Sequence, residues 1–206
     1  MSNTFLINMS PRGQKSNSYN YLNILKGFLE EENIKCALET FSRKHYLEGA
    51  EKLLNYEKVV LAFPLYGDCF PSTLLEFFNI LEELNKVKNK KVKVYGLINC
   101  GFLEAKQMKV SEVLFSNICN VLGMDYQCSL EIASGEAILT TMFKSMALRA
   151  VKKMAYNIKN NRNKTISVQM PLKYCKKIFI NESDKFWVEN GFKNGLTREL
   201  MEQNNL

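Results

Sequence analysis

The sequence predicts an α/β fold, a doubly wound parallel sheet of five strands with helices on both faces, followed by a C-terminal extension. Three observations predict it. Short β-like runs alternate with helical apolar patterns from residue 4 to about residue 158. One run, Val59-Val60-Leu61-Ala62-Phe63, is continuously apolar, as suits a central parallel strand covered on both sides. The alternation then stops at Asn160-Asn161-Arg162-Asn163-Lys164, a linker-like stretch. The 206 residues therefore divide into one domain, 1–160, and a basic extension, 161–206, with the lone Trp187 and a final helix near Thr197 to Gln203.

Each element has its own signature. Thr4 to Asn8 is the first strand, closed by a polar loop from Met9 to Asn17. Tyr21, Leu22, Leu25, Phe28 and Leu29 then recur at helical spacing. Ile34 to Leu38 is a second strand, and His45 to Tyr56 a short helix. The third strand ends at Pro64, and Pro71 suits the first turn of a helix that buries Leu74, Leu75, Phe77, Phe78, Leu81 and Leu84. Lys91 to Asn99 is the fourth strand, stopped by Cys100-Gly101. A helix from about Ala105 to Leu122 carries Val110, Val113, Leu114, Ile118 and Val121 as its core stripe, with Gly123 as its cap. Gln127 to Ala133 is the fifth strand, and a long helix runs from Glu136 to about Asn160, with Leu139, Met142, Phe143, Met146, Ala150 and Met154 on one face.

Composition narrows the function classes. Hydrophobic residues are 46% and charged residues 24%, which disfavours a disordered, collagenous or coiled-coil chain. No apolar run approaches the roughly 20 residues of a membrane span, and Met1-Ser2-Asn3-Thr4-Phe5 does not resemble a secretory signal. We therefore expect a cytoplasmic protein with no membrane partner. Cys36, Cys69, Cys100, Cys119, Cys128 and Cys175 include no pair at the spacing of a zinc ribbon, redox dithiol or iron–sulfur cluster, so no metal is expected. The net charge of +7 arises wholly in residues 144–206. No helix-turn-helix, finger or aromatic RNA-binding motif accompanies it, so it reads as a solvated basic face, with no nucleic-acid partner. His45, the only histidine, is placed at the start of the short second helix, away from the ligand edge, and is read as structural.

In such a sheet every strand-to-helix loop lies on one edge, where ligands bind. The first loop lacks the Gly-Lys-Ser/Thr of a triphosphate loop, the three glycines of a dinucleotide fingerprint and the acidic cluster of a receiver domain. It offers instead Ser10, Arg12, Ser16, Asn17 and Ser18 around a helix start, whose first N–H groups and dipole attract a phosphate. Asn17 or Ser16 alone is accounted for by a helix cap. In the third loop Pro64 and Pro71 add stiffness, Gly67 permits close approach of backbone, and Tyr66 brings an aromatic face suited to a flat heteroaromatic ring.

Taken together, Ser10-Pro11-Arg12, Ser16-Asn17-Ser18, Pro64-Leu65-Tyr66 and Asn99-Cys100-Gly101 resemble the flavodoxin-like NAD(P)H-dependent FMN reductase and quinone reductase family over residues 4 to 158. The resemblance implies non-covalent FMN. Ser10, Arg12, Ser16, Asn17 and Ser18 would hold its phosphate, Pro64, Leu65, Tyr66 and Gly67 would line the flavin, and Asn99, Cys100 and Gly101 would close the pyrimidine side, with Gly135 nearby. It also implies NADH or NADPH as reductant, a small-molecule electron acceptor such as a quinone, nitro compound or free flavin, and a homodimer. No side chain is required as acid or base, so no catalytic residue is assigned. A one-electron carrier and a non-catalytic flavin-binding module are the alternatives; the basic net charge disfavours the carrier.

Overall fold

The structure is a computed structural model that describes residues 3–67 and 69–171. The chain divides into two compact units, 1–169 and 170–206, and the first holds the architecture below. Trp187, Cys175 and the final helix expected near Thr197 to Gln203 lie outside the described residues.

β1 (Asn3–Asn8), β2 (Lys35–Thr40), β3 (Lys58–Pro64), β4 (Lys93–Asn99) and β5 (Asp125–Ile132) form the expected parallel sheet. Between them run α1 (Asn17–Glu31), α2 (Tyr46–Leu53), α3 (Ser72–Lys88) and α4 (Lys109–Val121), and α5 (Lys144–Lys159) follows β5. The order across the sheet is β2-β1-β3-β4-β5, with a sixth strand, β6 (Ile166–Val168), beside β5, so the direction of winding reverses at β1 and β3. Helices α1 and α5 pack together on one face. On the other, Phe77 and Phe78 of α3 and Phe115 of α4 join Phe5, Leu61 and Phe63 of the sheet in one core. Its rings meet mostly edge to face, as the Phe63 and Phe115 rings do at 5.4 Å, the arrangement their quadrupoles favour.

Three sequence expectations are corrected. The sheet has six strands, because β6 (Ile166–Val168) pairs in parallel with Leu130–Ile132 inside the stretch read as extension. Its apolar pattern is only the two buried residues Ile166 and Val168, and polar side chains at and beside it add to the backbone pairing. Ser167 Oγ donates to Glu131 at 2.5 Å, Ser129 N–H donates to Thr165 Oγ1 at 3.2 Å, and Thr165 in turn donates to Glu112. Secondly, the last helix begins at Lys144 rather than Glu136. Ser134 takes a positive φ of 52°, and residues 136–143 form turns and a short 3-10 segment, leaving Met142 85% exposed. Thirdly, α4 turns all but Ile118 of its expected stripe outward, and Ile118 packs partly buried against the core. Val110, Val113, Leu114 and Val121 are exposed, whereas Ser111, Glu112, Phe115 and Cys119 face the sheet.

Phe115 decides that orientation through contacts with Phe63, Phe78 and Tyr126. The inward Glu112 is satisfied by Lys109, Thr165 and the Tyr126 hydroxyl. Burial raises the affinity of its carboxyl for a proton, but these bonds outweigh burial and hold it below the ordinary glutamate range.

Close packing at the centre is strictest at Gly96 of β4. A Cβ there would lie 2.3 Å from Ser129 Oγ and 3.2 Å from the Phe115 ring. Gly96→Ala is therefore expected to destabilise the fold by about 1–3 kcal/mol, the usual range for overpacking, as a lower midpoint in urea unfolding.

Candidate functional site

The site is built on a buried amide. Asn8, the last residue of β1, is fully buried. Its Nδ2 donates to the Gly13 carbonyl at 2.9 Å and to Thr40 Oγ1 at 3.2 Å. Its Oδ1 accepts from the Ser10 N–H at 3.2 Å and faces Ser16 Oγ at 3.3 Å. One carboxamide thus fixes both ends of the first loop and ties them to the end of β2. Gly13 sits at φ 59°, a conformation that favours glycine.

Ser16 caps α1, accepting from the Tyr19 N–H at 3.2 Å, while its own hydrogen is directed at the Gly13 carbonyl, 2.7 Å away. Its hydroxyl is therefore engaged within the loop. The N–H groups of Asn17 and Ser18, at the first two helical positions, have no intrahelical acceptor and form the positive end of the helix. The buried Ser18 hydroxyl accepts from Asn99 Nδ2 at 2.7 Å and keeps its own hydrogen for another acceptor. Asn99 also donates to the Phe63 carbonyl at 3.3 Å, and its carbonyl receives the Leu65 N–H at 2.9 Å. Asn99 thereby locks the start of α1 to the ends of β3 and β4.

Beyond Pro64 and Leu65, Tyr66 and Cys69 exchange backbone hydrogen bonds at 2.7 and 3.2 Å, closing a tight turn in which Gly67 has φ 56°. This turn leaves Tyr66 49% exposed. On the far side, the Cys100 N–H donates to Ile132 and its carbonyl receives the Gly135 N–H at 2.8 Å. The fully buried Tyr21 of α1 donates to the Gly135 carbonyl at 2.9 Å, and burial pushes its phenol well above the usual tyrosine range. A Cβ on Gly135 would lie 3.2 Å from that of Asn99, so this turn needs a small residue.

These loops enclose a cavity of about 250 Å³ at the carboxyl edge of the sheet. Ser10, Arg12, Ser16, Asn17 and Ser18 line one side; Pro64, Leu65 and Tyr66 line a second; Asn99, Cys100 and Gly101 complete it. Of the twelve residues singled out from sequence, only Gly67 is not in the wall; it sits in the neighbouring turn. Sequence reading missed two participants. Glu136 lines the cavity and meets Arg12 at 3.3 Å, but it was assigned to a helix that starts eight residues later. Asn8 is a polar residue closing an apolar strand, and that was its available signal.

The expectation that His45 lies away from the ligand edge is corrected. It follows β2, on the same edge, and lines a neighbouring cavity. Burial pushes the Cys36 and Cys128 thiols up to about 11 and raises Cys119 further, which argues against thiolate chemistry at these three positions.

The Asn8 account has a direct test. Asn8→Ala removes the amide and leaves the Ser10 N–H and Gly13 carbonyl without those partners. It is expected to cost about 1–3 kcal/mol in chemical denaturation and to increase hydrogen exchange at residues 10–16.

No protein-family model matches the chain, and no curated protein does. Solved structures do. The chain is similar to an NAD(P)H:quinone oxidoreductase from Methanothermobacter marburgensis, with 13% identity, 77% of this chain and 97% of that one covered, and a TM-score of 0.59. It is similar to an FMN-dependent NADH-azoreductase from Bacillus anthracis in complex with FMN, at 14%, 76%, 99% and 0.56 respectively. A flavodoxin from Streptococcus pneumoniae gives 11%, 78%, 99% and 0.57. At these identities the likeness is one of fold, and the fold is flavodoxin-like.

Proposed function

We propose that the chain is an FMN-dependent oxidoreductase that takes reducing equivalents from NADH or NADPH and passes them to a small-molecule acceptor. The observation that carries this reading is the convergence in one cavity of a phosphate-type helix start, an exposed aromatic side chain and an amide-rich fourth loop, drawn from three separate strand ends. Two of the similar structures, by their names, are nicotinamide-dependent reductases of quinone and azo compounds.

The residues fit the cofactor. Ser18 has a hydroxyl hydrogen to donate, the amides of Asn17 and Ser18 point from an open helix start, and Arg12 brings a cation to the same wall. These groups would hold the phosphate, with Ser10 beside them, while Ser16 keeps the loop in shape. A Cβ on Gly101 would meet nothing within 4 Å, so the fourth loop leaves open space beside Asn99 and Cys100 for the flavin edge. Pro64, Leu65 and Tyr66 would line the ring, the half-exposed Tyr66 offering an aromatic side chain to it. When bound, FMN supplies hydride and electron transfer between a reduced nicotinamide and the acceptor. The chain's contribution is to hold that group, to set donors around it and to leave one face open. A homodimer, implied by the resemblance, belongs to this reading, and sedimentation equilibrium checks it.

Two measurements test the proposal. The purified or reconstituted protein is expected to be yellow, and stopped-flow mixing with NADH or NADPH to bleach it rapidly. FMN binding without such reduction overturns the reductase in favour of a one-electron carrier. Asn17→Ala combined with Ser18→Ala is expected to weaken FMN binding several-fold or more by fluorescence titration, since bonds to a charged group contribute about 1.5–3 kcal/mol each. Unchanged affinity would remove these two side chains from the phosphate site.

A further inference from the structure

A second cavity, of about 630 Å³, opens on the same sheet edge and shares Ser10 with the first. It lies between the first loop, the segment that follows β2 and the start of α3, and its volume is in the range of about 300–1,000 Å³ typical of small-molecule sites. One side is apolar and well supported. Phe41 packs so closely on α2 that a Cβ on Gly49 would come within 2.9 Å of its ring, and it meets Phe5 edge to face at 6.1 Å. Tyr46 is buried against Phe77, with ring centroids 5.6 Å apart.

The other side is basic. Arg43, Lys44 and His45 follow one another in the wall, and no residue lining this cavity among the described ones carries a carboxylate. Arg43 is engaged by Glu76, to which its Nε and Nη2 both donate. Among the described residues neither Lys44 nor His45 has an acidic partner, and the His45 ring is oriented by Ser42 Oγ, 2.9 Å from Nδ1. Thr73 completes the wall at the second position of α3. Its hydroxyl oxygen is buried without a hydrogen-bond partner, and α3 has no side-chain cap. A buried hydroxyl without a partner is costly, and here it belongs to the same cavity wall as Lys44 and His45, at an uncapped helix start.

A flat apolar wall opposite cationic and hydroxyl groups fits a ligand with an aromatic ring and a phosphate. We propose that this cavity receives the phosphorylated adenosine end of the reduced nicotinamide dinucleotide, Phe41 lying beside the adenine and Lys44, His45 and Thr73 meeting the phosphate. The inference rests on the reductase reading and deepens it. It assigns reductant recognition to the segment after β2 and favours the dinucleotide with the additional ribose phosphate.

The test is calorimetric titration of adenosine 2′,5′-bisphosphate into the full chain, with and without saturating FMN. Binding is expected in both conditions. Lys44→Ala with Thr73→Val is expected to weaken it roughly tenfold or more, with FMN affinity unchanged. Absence of binding, its loss on FMN saturation, or an unchanged affinity in the double variant overturns the proposal. FMN titration is read separately, so a chain that binds the bisphosphate and no FMN refutes the reductase reading and leaves an anion site standing. As a second readout, Lys44→Ala is expected to raise KM for NADPH more than for NADH; equal effects on both contradict the assignment.

Discussion

The first loop is held in place by the Asn8 carboxamide. A buried amide that lost its partners would carry the full cost of desolvation, so the chain around it must adopt the conformation that satisfies both of its ends. Four groups from the first loop, the helix cap and the end of β2 meet that demand. The strand carrying it lies where the sheet reverses its winding, with β2 on one side and β3 on the other. At such a point the loops diverge to either face and leave a crevice. Asn8 keeps the floor of that crevice fixed and leaves the amides at the start of α1 free for a ligand.

The sheet was legible because parallel strands covered on both faces leave runs such as Val59 to Phe63 that no other element explains. The loops could be read because the polar residues after Ile7 and the proline-bounded stretch after Phe63 stand out against those runs. Legibility failed where two patterns competed. Helix α4 carries an apolar stripe read as Val110, Val113, Leu114, Ile118 and Val121, and a shorter one of Phe115 and Cys119, which Ile118 in fact joins. Summed hydrophobicity favours the first, but the rings around Phe115 select the second. The segment at 136–143 carries apolar residues at helical spacing, yet its turns are set by backbone conformation at Ser134, which periodicity does not register.

The two cavities on one edge of the sheet present different kinds of donor. In the first, the donors are mainly backbone amides and short side chains locked by Asn8 and Asn99. In the second, the polar groups include long cationic side chains on a short 3-10 turn. Rigid donors suit a group that remains bound, and longer side chains suit one that exchanges. The exposed pair of Arg12 and Glu136 lies at the first cavity, where an anionic ligand would compete with the glutamate for the guanidinium.

The three-residue strand β6 has a consequence for the outer boundary of the sheet. Without it, the backbone groups of Leu130–Ile132 would form an unpaired, apolar border, a template onto which another strand could add. β6 covers that border and is itself short, with polar attachments through Ser167 and the neighbouring Thr165. A chain ended at residue 160, where the apolar alternation stops, would keep all five longer strands and lose this cover. Self-association of such a fragment would therefore begin at the edge remote from β2, and the residues just past the linker-like stretch act as a guard against it.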